Sequence, residues 1–541
     1  MKKLLLLLIV AITACQKKEQ VDLLVVNATI YTVDSAFSTA EAMAIRDGKI
    51  VSVGTSEELE AKFLADSSWD AGGSFIYPGF FDAHCHFSYY GLGLQQVDLT
   101  GTTSWEAVLT RLDSFAAIHP QGWIIGRGWD QNDWQNNDLP ERSQLDLRFP
   151  NRPVYLTRID GHAAVANGEA LRLAGITANT RIAGGEIQLA NQQPNGILID
   201  NATTLMDAVV PKPDVASWRR ALLDAQARCL AVGLTTVAEA GLDCLQIVLM
   251  QQLEQEGLLK IGLYPMISAT SPQFDYLLAQ GVQRSDRVHV RGVKFYADGA
   301  LGSRGALLHE PYHDHGPHKG LLLTPKADFL EKAERLYQAG FQVNTHCIGD
   351  SANTMVLNWY EQVVDTDRKH RWRIEHAQLV RENDQERFAA LAVIPSVQPT
   401  HATSDMYWAE ERIGSERIRY AYPYQDLLRK TGLLALGTDF PVEGIDPLKT
   451  FYAAIFRQDV KGWPEGGFTP QQRLTREQAL RGMTIWAAYA QFEEKEKGSL
   501  EKGKNADFVV LDKDLLKAER EELLQTKVLN TVVNGKLVFT R

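Results

Sequence analysis

The sequence predicts an α/β fold: a (β/α)8 TIM-like barrel with a small β-sandwich domain built from both chain ends. Three observations predict it. The middle of the chain alternates strand-like apolar runs with helical patterns, which favours βα units and a parallel sheet. Eight such runs can be counted, and eight parallel strands make a barrel. The two ends of the chain instead carry short alternating strands with tight-turn dipeptides, as in "AMAIRDGKIVSVG" and "VLNTVVNGKLVF", where Asp-Gly and Asn-Gly readily take positive φ.

The elements follow in chain order. Residues 1–14 stand outside the fold: "MKKLLLLLIVAITAC" has two lysines, an apolar stretch and then small residues. That is a secretory signal peptide, too short to span a bilayer. Ile12-Thr13-Ala14-Cys15 resembles the lipobox of bacterial lipoproteins. The resemblance implies cleavage before Cys15, lipidation of its thiol, and an exported protein held by lipid on the periplasmic side of a bacterial membrane; the alternative is an ordinary cleaved signal. No later apolar run approaches the roughly 18 residues of a membrane-spanning helix.

Residues 22–77 and 498–541 form the expected β-sandwich, and residues 78–497 the barrel. The eight candidate barrel strands are 76–86, 234–239, 261–268, 292–298, 342–346, 372–376, 393–398 and 433–439. The gap between the first two is too long for one crossover, so residues from about 90 to 225 read as an insertion. It is rich in aromatic and polar residues, as in "GWIIGRGWDQNDW" and "RPVYLTRIDGHAAVANGEAL". A net charge of -11 without a basic stripe lacks the electrostatic footprint of nucleic-acid binding. Apart from Cys15, the cysteines are Cys85, Cys229, Cys244 and Cys347, too few for a disulfide framework. Cys85 and Cys347 neighbour strand histidines. Alternation turns them away from those histidines, so they read as small buried hydrophobes.

The chemistry gathers at the strand ends. His84 and His86, one residue apart in "PGFFDAHCHF", project to one side of a strand, and neutral imidazole is a common metal ligand. Lys294 lies on the fourth strand, His346 ends the fifth, His376 the sixth, and Asp439 the eighth. The C-terminal end of a barrel strand is where barrel active sites lie. Any one of these residues alone reads as a core histidine or a turn aspartate. Five strand ends in order, all with ligand-type side chains, point to a metal-dependent active site.

At these residues the chain resembles the amidohydrolase superfamily, and more closely its amidohydrolase-3 branch, which includes deformylases of N-substituted formamides. The motifs that carry the resemblance are "RIDGHAAVAN", "VKFYADGALGSRGA", "THCIGD", "RIEHAQ", "QPTHATSD" and "GTDFPVE". It implies two divalent metal ions. His84 and His86 would hold one together with Asp439, His346 and His376 the other, and Lys294 would bridge both as a CO2-derived carbamate. Two nearby cations lower the pKa of a shared water, giving a metal-bound hydroxide nucleophile near neutral pH. Asp439 is then the catalytic proton shuttle that protonates the leaving nitrogen. Zinc is the default for such a nitrogen- and oxygen-ligand site; iron, manganese and cobalt remain open. If Lys294 instead pairs with an acid, a single ion on the histidines and Asp439 serves the same chemistry.

Four further residues are candidate substrate contacts. His162, in the insertion, can cap the site or simply be a satisfied histidine. His401, in "QPTHATSD", can face substrate. Arg304 can bind an anionic group or pair with a carboxylate. Trp129, with Trp134 and Trp408, can line an apolar pocket. The cluster His309, His313, His315 and His318 reads as a loop, because its Pro and Gly content breaks regular ligand spacing.

The expected function is metal-dependent hydrolysis of carbon–nitrogen bonds other than peptide bonds, with N-acyl or N-formyl amines as the substrate class. Two alternatives stand beside it. One is an esterase, lactonase or carbamate hydrolase on the same site; the other is a periplasmic binding lipoprotein. The expected partners are a small-molecule substrate, no nucleic acid, and a membrane only through the lipid anchor. Members of this group often pair, so the resemblance implies a homodimer, while the residues leave oligomeric state open.

Overall fold

The computed structural model describes residues 18–135, 138–158, 163–182, 185–365 and 370–541. At its centre is an eight-stranded sheet whose strands follow one another in chain order: β1 (Phe80–Cys85), β2 (Leu234–Leu242), β3 (Gly262–Ser268), β4 (Gly292–Tyr296), β5 (Gln342–Cys347), β6 (Arg373–His376), β7 (Ile394–Val397) and β8 (Ala435–Leu436). Every neighbouring pair is parallel. All six residues of β1 are buried, as are the four of β6 and the four of β7. Strands covered on both faces read as continuous apolar runs for this reason. The chain after β8 returns to β1: Asp439 N–H donates to His84 O (2.8 Å) and His86 N–H to Phe440 O (2.7 Å). The barrel is thereby nearly closed.

Two expected strands are corrected. The run 76–86 is two strands split at Gly79. Phe75–Pro78 pairs antiparallel with Phe508–Leu511 in another sheet, and Phe80–Cys85 enters the barrel. A Cβ on Gly79 would meet Thr235 Oγ1 at 2.3 Å, so only glycine lets the chain cross there. The run 433–439 is a strand only at Ala435–Leu436. Asp439 has φ 63, a left-handed conformation that cannot continue a ladder. The buried Asp82 carboxylate holds this stretch instead, accepting from Thr438 N–H (3.0 Å) and Thr438 Oγ1 (2.7 Å).

Two further sheets draw on the chain ends. A six-stranded sheet runs Lys536–Thr540, Val528–Val533, Phe508–Leu511, Phe75–Pro78, Thr29–Tyr31, Thr39–Ala40; a four-stranded one runs Lys49–Gly54, Ala42–Arg46, Glu19–Val26, Phe63–Asp70. They share a core that includes Val25, Ile45, Ile76, Phe508 and Val532. The turns of the two expected hairpins have the positive φ values that Asp-Gly and Asn-Gly favour, 51° and 71° at Asp47 and Gly48 and 48° and 68° at Asn534 and Gly535.

The chain divides into two compact units. One comprises the described residues up to His86 with Gln226–Arg541, and so holds the barrel and both terminal sheets; the other is Phe87–Ala225. The second has its own six-stranded sheet and a core around Leu109, Leu112, Trp129, Trp134 and Leu156. No helix among the described residues is long and apolar enough to cross a membrane. The signal peptide and Cys15 lie outside the described residues.

Candidate metal centre

The C-terminal ends of β1, β4, β5, β6 and β8 converge on one cluster. His84, in β1, points into the barrel, where its Nε2 lies 3.0 Å from Lys294 Nζ of β4 and 3.7 Å from Asp439 Oδ1. His86, two residues on, places its Nε2 3.3 Å from the same oxygen. The ring of His376 lies 4.9 Å from that of His84 and 4.5 Å from that of His346. His376 itself adopts φ 70. Left-handed backbone at both His376 and Asp439 is the kind of local strain that gathers at functional sites. The six residues expected as ligands are therefore brought together.

Two of the histidines are oriented from behind. His84 Nδ1 donates to Glu375 Oε2 at 2.5 Å, and His376 Nδ1 donates to Gln398 Oε1 at 2.7 Å. With Nδ1 carrying the proton, each ring presents the Nε2 lone pair to the cluster. Glu375 is held in turn by Arg373, whose Nε lies 2.7 Å from Oε1; both side chains are fully buried. Beside His346, whose Nε2 lies 3.7 Å from its Oδ1, Asp298 accepts backbone N–H bonds from Leu307 (2.8 Å), Ile348 (3.0 Å) and Gly349 (2.8 Å). It thus pins the loop after β4 to the end of β5. None of these supporting residues emerges from a search for ligands. The one signal is adjacency, with Glu375 beside His376 in "RIEH" and Gln398 opening "QPTH".

The electrostatics favour ligand-ready side chains. Burial, helped by Lys294, pushes His84 down to about 4, and burial pushes His346 down to about 3. His376 is also driven well below the usual range, by burial and then by His346. All three imidazoles are neutral at pH 7. Burial lowers Lys294 to about 8. Burial opposes ionisation of Asp439, but the imidazoles of His86, His84 and His401 around it outweigh that and hold the carboxyl below the usual range. Glu375 is held at about 2, where Arg373 and His84 overcome its burial.

The candidate substrate contacts divide. His401, on the helix Pro399–Asp405 that follows β7, joins the cluster with its Nε2 3.5 Å from Asp439 Oδ2 and its ring stacked on His376. Arg304 takes the carboxylate-pairing reading of its two: it makes a two-pronged pair with Asp314, at 3.1 Å and 2.8 Å. Trp129 is corrected. It is 0% exposed in the core of the second unit, with Nε1 donating to Leu156 O, because the large ring is what fills that core. Trp134 packs in the same core, and Trp408 lies against Gly302. His162 lies outside the described residues. The loop histidines form no ligand group among the described residues: His309 Nε2 bonds Thr354 Oγ1 and His318 Nε2 bonds Arg304 O.

Known proteins match this chain in sequence and fold. The Amidohydrolase family model matches residues 69–539. The chain is 35% identical to the protein LONG AFTER FAR-RED 3 of Arabidopsis thaliana, covering 96% of this chain and 91% of that one. It is 29% identical to the N-substituted formamide deformylase of Arthrobacter pascens, covering 96% and 98%. Among solved structures, an uncharacterized metal-dependent hydrolase from Pyrococcus furiosus superposes with TM-score 0.76 at 30% identity, covering 92% of this chain and 100% of that one. The binding-lipoprotein alternative is thereby set aside: the chain belongs to the amidohydrolase family and is a metal-dependent hydrolase of carbon–nitrogen bonds.

Proposed function

We propose that this protein hydrolyses the amide bond of small N-acyl or N-formyl amines, using His84, His86, Lys294, His346, His376 and Asp439 to hold two divalent cations. The observation that carries the reading is the convergence of four buried or half-buried imidazoles and one ionised carboxylate at the C-terminal strand ends. The cluster suits cations because His346 Nε2 and Asp439 Oδ1 are buried without a hydrogen-bond partner, an arrangement that costs free energy unless a further group satisfies them. Lys294 supports a bridging role: no carboxylate among the described residues pairs with its Nζ, which faces His84 Nε2. Its amine adds CO2 and releases one proton, giving an anionic oxygen donor.

Divalent cations held by these residues would make a bound water more acidic and would polarise the substrate carbonyl. Asp439, ionised and touching His86, takes the proton of the attacking water and passes it to the leaving nitrogen, without which an amine does not depart. Glu375 and Gln398 keep His84 and His376 in the tautomer that exposes Nε2. The N-formyl class is suggested by the likeness to the Arthrobacter deformylase. Lipidation of Cys15 and export to the periplasmic face remain part of the proposal, as does pairing into a homodimer. Cys15→Ser would release the protein from the membrane fraction.

The test is amine release from N-formyl, N-acetyl, cyclic-amide and ester compounds, with zinc-loaded protein compared with Asp439→Asn. Turnover of an amide that is lost in the variant is expected. Cleavage of esters alone would replace the amide reading with the esterase one, in which an alkoxide leaves without the Asp439 proton.

A further inference from the structure

The two oxygens of Asp439 face different imidazoles. Oδ1 lies 3.3 Å from His86 Nε2 and 3.7 Å from His84 Nε2, while Oδ2 lies 3.5 Å from His401 Nε2. In a four-coordinate site with bonds of about 2.0–2.1 Å, adjacent donor atoms sit about 3.3–3.4 Å apart. The spacings around Asp439 match that edge better than they match hydrogen bonds, which cluster near 2.9 Å.

His401 Nε2 is buried and has no hydrogen-bond partner. Its ring is nearly parallel to that of His376, 16° between planes at 5.8 Å, so the two imidazoles lie side by side. His376 offers only Nε2, since its Nδ1 is taken by Gln398 Oε1. Donor atoms of His376, His401 and Asp439 fall within 4.8 Å of one another, as do those of His84, His86 and Asp439. Asp439 is common to both trios.

We propose that His401 is a ligand of the second cation, which it shares with His376 and with Asp439 Oδ2, so that the Asp439 carboxylate spans both metal positions. The inference rests on the two-cation reading above and adds a residue that the strand-end pattern did not include. It gives the chain after β7 a defined part in the site. It also makes the second position depend on the helix Pro399–Asp405, which Tyr424 Oη braces by donating to the carbonyl of Gln398 (3.0 Å).

The experiment loads metal-free protein with Co2+ and follows stoichiometry by mass spectrometry under native conditions, and binding by visible absorption. Wild type is expected to take two equivalents. His401→Ala should keep the first and bind the second at least a hundredfold more weakly, a larger loss than the 10–100-fold typical of an outer-shell partner. His401→Cys should restore the second equivalent and add a thiolate-to-cobalt charge-transfer band in the near ultraviolet that wild type lacks. Thermal unfolding of the metal-free variants, unchanged from wild type, establishes that each is folded. Two equivalents at wild-type affinity in His401→Ala, with turnover lost, would put His401 on the substrate and overturn the inference. Fewer than two equivalents in wild type would overturn the two-cation reading itself, and His401 as a second-site ligand with it.

Discussion

Glu375 and His84 sit on strands β6 and β1, 291 residues apart in the chain, yet His84 Nδ1 donates to Glu375 Oε2 at 2.5 Å in a fully buried pair. The contact sets the histidine's tautomer and its aim. Arg373 completes the arrangement from two residues upstream, with Nη2 also donating to Ser396 Oγ at 2.9 Å. A buried chain from Arg373 through Glu375 to the neutral His84 thus supports that imidazole from below.

Glu375→Gln should therefore weaken metal binding about 10–100-fold by loosening His84. It should also destabilise the fold by about 3–5 kcal/mol, because Arg373 is left buried without its counter-charge. Metal titration and urea unfolding of the metal-free protein read the two effects separately. An unchanged metal affinity in a folded variant would remove Glu375 from the site.

Removal of metal by a strong chelator should abolish turnover and lower the melting temperature, since a ligand bound only to the native state stabilises it. Zinc added back should restore both. Asp439→Asn should recover much of the melting temperature on zinc addition, yet regain little turnover.

Trp129 and Arg304 make an opposite pair of expectations. Trp129→Ala should cost about 3–5 kcal/mol, as truncating a buried large aromatic does. Trp129→Phe should lose only the hydrogen bond to Leu156 and leave KM unchanged. Arg304→Ala breaks a solvent-facing pair and should leave the urea midpoint nearly unchanged, with no change in KM for anionic compared with neutral substrates. A selective rise in KM for anions would return Arg304 to the substrate.

Glu493 sets an acid limit on stability at a place remote from the metal ligands. Its burial is outweighed by Lys497 (3.1 Å), by His289 (3.0 Å) and by Arg284 (3.4 Å), and its carboxyl is lowered from 4.5 to about 2. A depressed folded-state pKa contributes stability that is full above the unfolded value and is lost as pH falls from 4.5 towards 2. Wild type should thus lose more urea resistance than Glu493→Gln as pH is lowered through that window. Parallel pH dependence in the two proteins would show that Glu493 carries no such stabilisation.

The sequence by itself determined the barrel, the order of its strands and the six positions that converge. Each of those signals is local: a run of buried apolar residues, a turn dipeptide, or a ligand-type side chain at the end of a strand. His84 and His86 could be read as neighbours in space because a strand's period of two places them so. Tertiary structure alone decided which residues stand behind them. Glu375 reaches His84, Asp298 pins Leu307 to Gly349, His401 comes to the far oxygen of Asp439, Arg304 is claimed by Asp314, and Trp129 is consumed by a core. Each of these depends on which atoms meet once distant segments are packed and on what water can no longer reach. A charge in a strand or a tryptophan in a loop has the same letter whether it faces a substrate, a partner or the interior. Only the packed chain distinguishes them, since burial and pairing are relations through space.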